Sequence, residues 1–177
     1  MYLYADKYVS KYSDPEKAKA IKELFPEIPP SNNLDSVNIE IEVAYWRKAN
    51  AIHKWFVNNV QEGEDDCESY FVSNQKLKEL YDTCVAVKTD LEKEGNAYET
   101  EIENGYSFKD GVKIPNMIKG IAYRDTSLAE ELLPPSSGFF FGSTNIDQWY
   151  KEEIDYTVKV LEKLIELKTD FKYQSSW

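Results

Sequence analysis

Val37, Ile39, Ile41 and Val43 alternate with Asn38, Glu40 and Glu42, and neither glycine nor proline separates this run from the next. A period of two places the apolar set on one face of a half-buried strand. From Ala44 the period becomes helical, with Tyr45, Ala49, Ile52, Phe56 and Val60 on one stripe. A strand that runs into a helix without a linker must share a core with it. The chain is therefore expected to be α+β: a small, mostly antiparallel sheet packed against three longer helices. At 177 residues, with no repeat or linker, one domain covers 1–177.

Other elements follow from similar signals. Residues 1–9 (M-Y-L-Y-A-D-K-Y-V) read as a first strand. In S-D-P-E, Ser13 caps a helix, Pro15 suits its first turn and Glu16 closes a capping box. That helix is expected to reach Phe25, before a loop through Pro26, Pro29 and Pro30. The helix from Ala44 should end near Gly63, and 67–72 form a short strand. Ser73 then caps a helix with Leu77, Leu80, Tyr81, Cys84, Val87 and Leu91 inward. Residues 92–125 are punctuated by glycines, with a hairpin at 106–114. Ser127 and Glu130 make a second capping box. A very short buried strand is expected at 139–141. The last helix starts near Thr144 and carries Ile146, Tyr150, Ile154, Val158, Leu161 and Ile165 inward.

Charge narrows the function classes. Thirty-two acidic against 21 basic residues give a net charge of −11, which disfavours direct DNA binding, because neutralising phosphates takes Lys and Arg. Arg47 and Arg124 are the only arginines, so bidentate recognition of phosphate has two candidate side chains. Cys67 and Cys84 stand in no ligand cluster, so free thiols are expected, with no metal and no cofactor. No apolar run approaches the roughly 18 residues of a membrane span, and the start does not read as a signal peptide. A cytoplasmic protein that makes no membrane contact is expected.

Two sets of residues are candidates for recognition. On the helix expected from Ala44, Trp46, Asn50 and His53 form a shoulder beside the core stripe, with Arg47 nearby. They read either as a pocket wall, the indole stacking on a base, or as the edge of the core. A helix start at Ser143 and Thr144 after G-F-F-F-G would add backbone N–H groups for a phosphate. The second set is acidic: Glu62, Glu64, Asp65, Asp66 and Glu68, then Glu92, Glu94, Glu99, Glu101 and Glu103. It reads either as solvated charge or as a surface for a basic groove. Glu130, Glu131 and Asp147 make no persuasive carboxylate pair. With one histidine and no nucleophile motif, no catalytic residue is expected and the chain is read as no enzyme.

The M-Y-L-Y-A start, the W-R-K-A-N-A-I-H-K-W-F helix and the L-L-P-P-S-S-G-F-F-F-G-S-T-N-I-D-Q-W-Y ending resemble a family of small phage and prophage proteins. The resemblance covers both ends and leaves 92–125 uncovered, and it brings no catalytic residues with it. It implies an infected bacterial cell and a counter-defence role of the anti-CRISPR kind. The leading expectation is an acidic inhibitor that docks on a host defence nuclease complex with a basic surface and blocks nucleic-acid binding or cleavage. The alternative is a sponge for a nucleotide-derived immune signal, using Trp46, Arg47, Asn50, His53, Ser143 and Thr144.

Overall fold

A computed structural model describes residues 1–26, 36–138, 143–167 and 169–176. Within them the elements are β1 (Tyr2–Ser10), α1 (Pro15–Glu23), β2 (Ser36–Tyr45), α2 (Asn50–Asn59), β3 (Tyr70–Val72), α3 (Asn74–Leu91), β4 (Ala97–Lys109), β5 (Val112–Tyr123), α4 (Ser127–Leu132), α5 (Gln148–Leu164) and β6 (Asp170–Gln174). The fold is α+β. One sheet has the order β2-β1-β6-β3, all pairs antiparallel; β4 and β5 form a second, two-stranded sheet.

The first sheet buries one face. Leu3, Val72, Phe171 and Tyr173 point into the core, while Lys172, between the last two, bridges Asp6 and Glu40 on the open face. Against the buried face lie Ile52 and Phe56 of α2, Leu77 and Leu80 of α3, and Ile154 and Leu161 of α5. Helices α3 and α5 run antiparallel, tied by Lys88–Asp155 at 2.9 Å and Lys151–Glu92 at 2.8 Å. Cys84 is buried between them, with its thiol pushed up by burial, and Cys67 is half-buried; both are free.

The strand-to-helix switch comes later than its periodicity predicts. Tyr45 completes β2, and Trp46 and Met1 exchange backbone hydrogen bonds of 2.9 and 3.1 Å. With those groups committed to the strand ladder, Trp46 cannot enter a helix. Lys48 then turns the chain in a left-handed conformation, φ 68°, and α2 starts at Asn50. Register shifts where Leu3 pairs with Ala44 and Tyr4 with Glu42, so Ala44 and Ile41, three residues apart, share a face. Ala44 is buried opposite Leu3, while Ile41, on the edge strand opposite Ala5, is exposed.

Side-chain acceptors cap α1, α3 and α5, while α2 and α4 start without one. Asp14 caps α1, because Ser13 is bonded to Ser10 instead. Ser73 caps α3 as expected. Thr126, not Ser127, precedes α4 and donates its hydroxyl to Glu130 at 2.6 Å. Asp147 caps α5, which starts at Gln148, four residues beyond the expected start near Thr144. The strand expected at 139–141 and the loop at Pro29 and Pro30 lie outside the described residues.

The hairpin expected at 106–114 is the tip of a much longer one. Asp110 and Gly111, φ 53° and 79°, form its two-residue turn, as a D-G pair between strands should. A bulge at Asn104 and Gly105 breaks the register, which resumes with Tyr106 opposite Pro115. The base is held by Asn96, whose side-chain oxygen accepts from the backbone N–H of Arg124 and Asp125, and by Gln148, which accepts from Ile121 N–H. Gly120 permits this approach: a Cβ there would lie 2.7 Å from Ile102 Cγ1 and 2.5 Å from Gln148 Oε1. Gly120→Ala is expected to lower stability by roughly 1–3 kcal/mol in chemical denaturation, since buried Ile102 has little room to yield.

Candidate functional site

Trp46 and His53 do not form an exposed wall. Both are about 2 % exposed, because Trp46 ends a strand pairing instead of riding on the helix surface. Trp46 Nε1–H donates to Thr157 Oγ1 at 2.9 Å, and its ring meets Phe56. His53 lies between Asp65, 3.0 Å from Nε2, and the Tyr173 hydroxyl, 2.6 Å from Nδ1. A carboxylate only accepts, so Nε2 carries the proton and Nδ1 accepts from Tyr173. Burial pushes the His53 pKa below its usual value and outweighs the raising effect of Asp65. The imidazole is thus a neutral core link. Tyr173 is fully buried, so this chain of groups offers a ligand no reacting atom.

Arg47, Asn50 and Ser143 do meet, at the rim of an open cleft of about 480 Å³. The turn before α2, the start of α5 and the bulged part of the hairpin enclose it. Asn50 is structural there: its amide donates to Ser143 O at 3.1 Å and accepts from Ser136 N–H at 3.3 Å. Thr144 lines an adjoining cleft of about 610 Å³ with Tyr98, Thr100 and Glu101. The α5 N-terminus is not open to a phosphate, since Asp147 Oδ1 already accepts from Trp149 and Tyr150 N–H.

Residues that no sequence pattern singled out complete the first cleft: Lys48, Lys113, Trp149 and Glu153. They come from three separate elements, so nothing in their spacing links them. Arg47, Lys48 and Lys113 form no ion pair among the described residues, whereas Lys76, Lys78, Lys88, Lys93, Lys151 and Lys172 all do. Lys113 instead lies over the Tyr106 ring, 4.0 Å from its centre. Trp149 Nε1–H donates to Glu103 O at 3.0 Å, which fixes its ring. The Glu153 carboxyl is pushed up to about 8, mainly by burial and then by Asp147 and Glu152. Burial also raises Asp147, whose Oδ2 has no partner among the described residues.

The acidic residues are spread out and only partly free. Glu62, Glu64 and Glu68 are exposed, but Asp65 holds His53, and Asp66 accepts from Glu68 N–H and the Tyr70 hydroxyl. Glu92 is paired with Lys88 and Lys151. Glu99 and Glu101 are exposed on one face of β4, with half-buried Glu103 next in the row, at steps of about 7 Å. Lys119 stands opposite Glu101. Helix α3, about 27 Å long, lies in the chain between the two clusters.

Beyond Glu103 the hairpin is bare. Residues 104–117 are all exposed, including Tyr106, Phe108 (69 %), Val112 (62 %), Ile114 and Met117. Among the described residues no three His, Cys, Asp or Glu side chains are grouped to hold a metal, and no helix is long and apolar enough to cross a membrane. No family model, curated protein or solved structure matches the chain.

Proposed function

We propose that this protein is a non-enzymatic counter-defence inhibitor that docks on a basic host nuclease complex through the β4–β5 arm. The support is the arm itself: a two-stranded projection whose one face carries exposed Tyr106, Phe108 and Met117 in line with Glu99 and Glu101, with Val112 and Ile114 exposed on the other face. Exposed apolar side chains grouped on one face beside charge mark protein–protein contact. Aromatic anchors such as Phe108 and Tyr106 carry affinity in such contacts, while carboxylates raise the rate of encounter with a basic partner. The bare part of the arm, from Asn104 to Lys109 and from Val112 to Met117, reaches about 20 Å from the body, a shape suited to entering a groove.

The test is inhibition of a purified CRISPR-type nuclease by arm variants that leave the body intact. Phe108→Ser with Met117→Ser, on one face of the arm, is expected to weaken inhibition by ~30-fold or more at unchanged melting temperature, the loss typical of two anchor residues. Glu99→Lys with Glu101→Lys should slow association chiefly at low salt. Full inhibition by both variants would refute the proposal. A second reading, sequestration of a nucleotide-derived signal, draws its support from the unpaired cations Arg47, Lys48 and Lys113 at one cleft.

A further inference from the structure

We infer that the cleft between Arg47, Lys113 and Trp149 is a binding site for a phosphorylated nucleotide, with the phosphate on the cations and the base on the fixed indole. This deepens the second reading and is independent of the arm's partner, so either can fail alone.

Three observations carry it. The first is that Arg47, Lys48 and Lys113 line one cleft with no ion pair among the described residues, Lys113 resting on the Tyr106 ring. Other lysines, such as Lys109 and Lys119, also form no ion pair among the described residues; what sets these three cations apart is that they converge on one cleft. Arg47 presents a planar fork suited to two phosphate oxygens, and the lysines add point charges around it. The second is preorganisation. Trp149 is half-buried, with its Nε1–H held by the Glu103 carbonyl, so its ring need not be ordered when a base stacks on it. Lys48 is held in a left-handed turn that a non-glycine residue rarely adopts, and such strain persists where surroundings over-determine it. The third is size. A cleft of about 480 Å³ lies within the roughly 300–1,000 Å³ of small-molecule sites and is larger than a phosphate alone would need.

Three carboxyl groups, Glu103, Asp147 and Glu153, also line the cleft, against the three cations. Burial keeps Glu153 largely protonated at neutral pH, which makes it a donor and acceptor for a base edge rather than an ionic partner of the cations. Asp147 is buried and lines the cleft, with one oxygen committed to the α5 cap. The overall charge of −11 works against any anion approaching, which sets the expected affinity in the micromolar range and makes it salt-sensitive.

Thermal shift and calorimetric titration decide the matter, with adenosine and guanosine monophosphates, the matching unphosphorylated nucleosides, and inorganic phosphate as probes. A monophosphate at about 1 mM is expected to raise the melting temperature of the full chain by mass action, with the nucleoside and phosphate each far weaker. Arg47→Ala with Lys113→Ala, both exposed positions, should weaken binding at least tenfold while the ligand-free melting temperature stays put. No shift with either monophosphate overturns the site. Binding that survives the double variant moves it elsewhere and overturns the assignment. Inorganic phosphate binding as tightly as the nucleotides would leave no role for Trp149 and overturn the ligand class.

Discussion

Phe56→Ala is expected to lower the unfolding free energy by about 3–5 kcal/mol, measured by chemical denaturation. Phe56 is fully buried and stacks on Tyr173 of β6 with ring centres 3.9 Å apart and planes 9° from parallel. Trp46 and Trp55 pack around it. One side chain on α2 therefore joins the helix to a central strand of the sheet and to the residue that closes β2. The hole left by alanine cannot collapse easily, because Tyr173 is also held by His53 through its hydroxyl. Domains of this size commonly have 5–15 kcal/mol in total, so the variant should sit near the edge of folding. The midpoint should move with little change in slope. A cost below about 1 kcal/mol would mean that α2 does not pack on the sheet as described.

Glu153→Gln acts in the opposite direction and depends on pH. The Glu153 carboxyl is raised from 4.5 to about 8, mainly by burial, so between those values the folded state binds the proton more tightly than the unfolded chain does. With ν for unfolded smaller than ν for folded, stability contributed by this group is present below pH 4.5 and is lost as pH rises towards 8. Glutamine resembles the protonated acid and removes that loss. The variant should match the parent near pH 4.5 and exceed it by on the order of 2–4 kcal/mol by pH 9. His53 has the opposite sign. Its pKa is lowered, so its stabilising contribution is present above the unfolded value of 6.5 and is lost as pH falls below it. The difference between variant and parent isolates Glu153, because His53 is common to both. Denaturation midpoints at pH 5, 7 and 9 check the result; a pH-independent difference would place Glu153 in water.

Much of the local structure was legible in the sequence. Alternation over 37–43 identified a strand, the stripe from Leu77 to Leu91 identified α3, and the stripe through Tyr150, Ile154 and Leu161 identified α5. Asp110-Gly111 marked a hairpin turn. These signals are local: a period, a cap or a turn residue acts within a few positions of itself. The acidic balance and the two arginines were equally plain, and with them the scarcity of phosphate-binding groups.

What tertiary contact decided lies at longer range. D-F-K-Y-Q is too short to stand out, yet it is β6 and lies between β1 and β3, because Phe171 and Tyr173 complete the face that α2 covers. Helical periodicity placed Trp46 on α2, but a backbone pairing with Met1, 45 positions away, held it in the strand and buried it. The extent of the hairpin depended on Asn96, Gly120 and Gln148 meeting at its base. The cleft joins Arg47, Lys113, Trp149 and Glu153 from separate elements. Their chemistry was visible one residue at a time, and only the packing of the hairpin against α5 made them neighbours. The sequence thus determined which segments could be strand or helix, since those preferences follow from local sterics and solvation. The fold decided which polar groups were buried and which charges went unpaired, because both depend on contacts between residues distant in the chain.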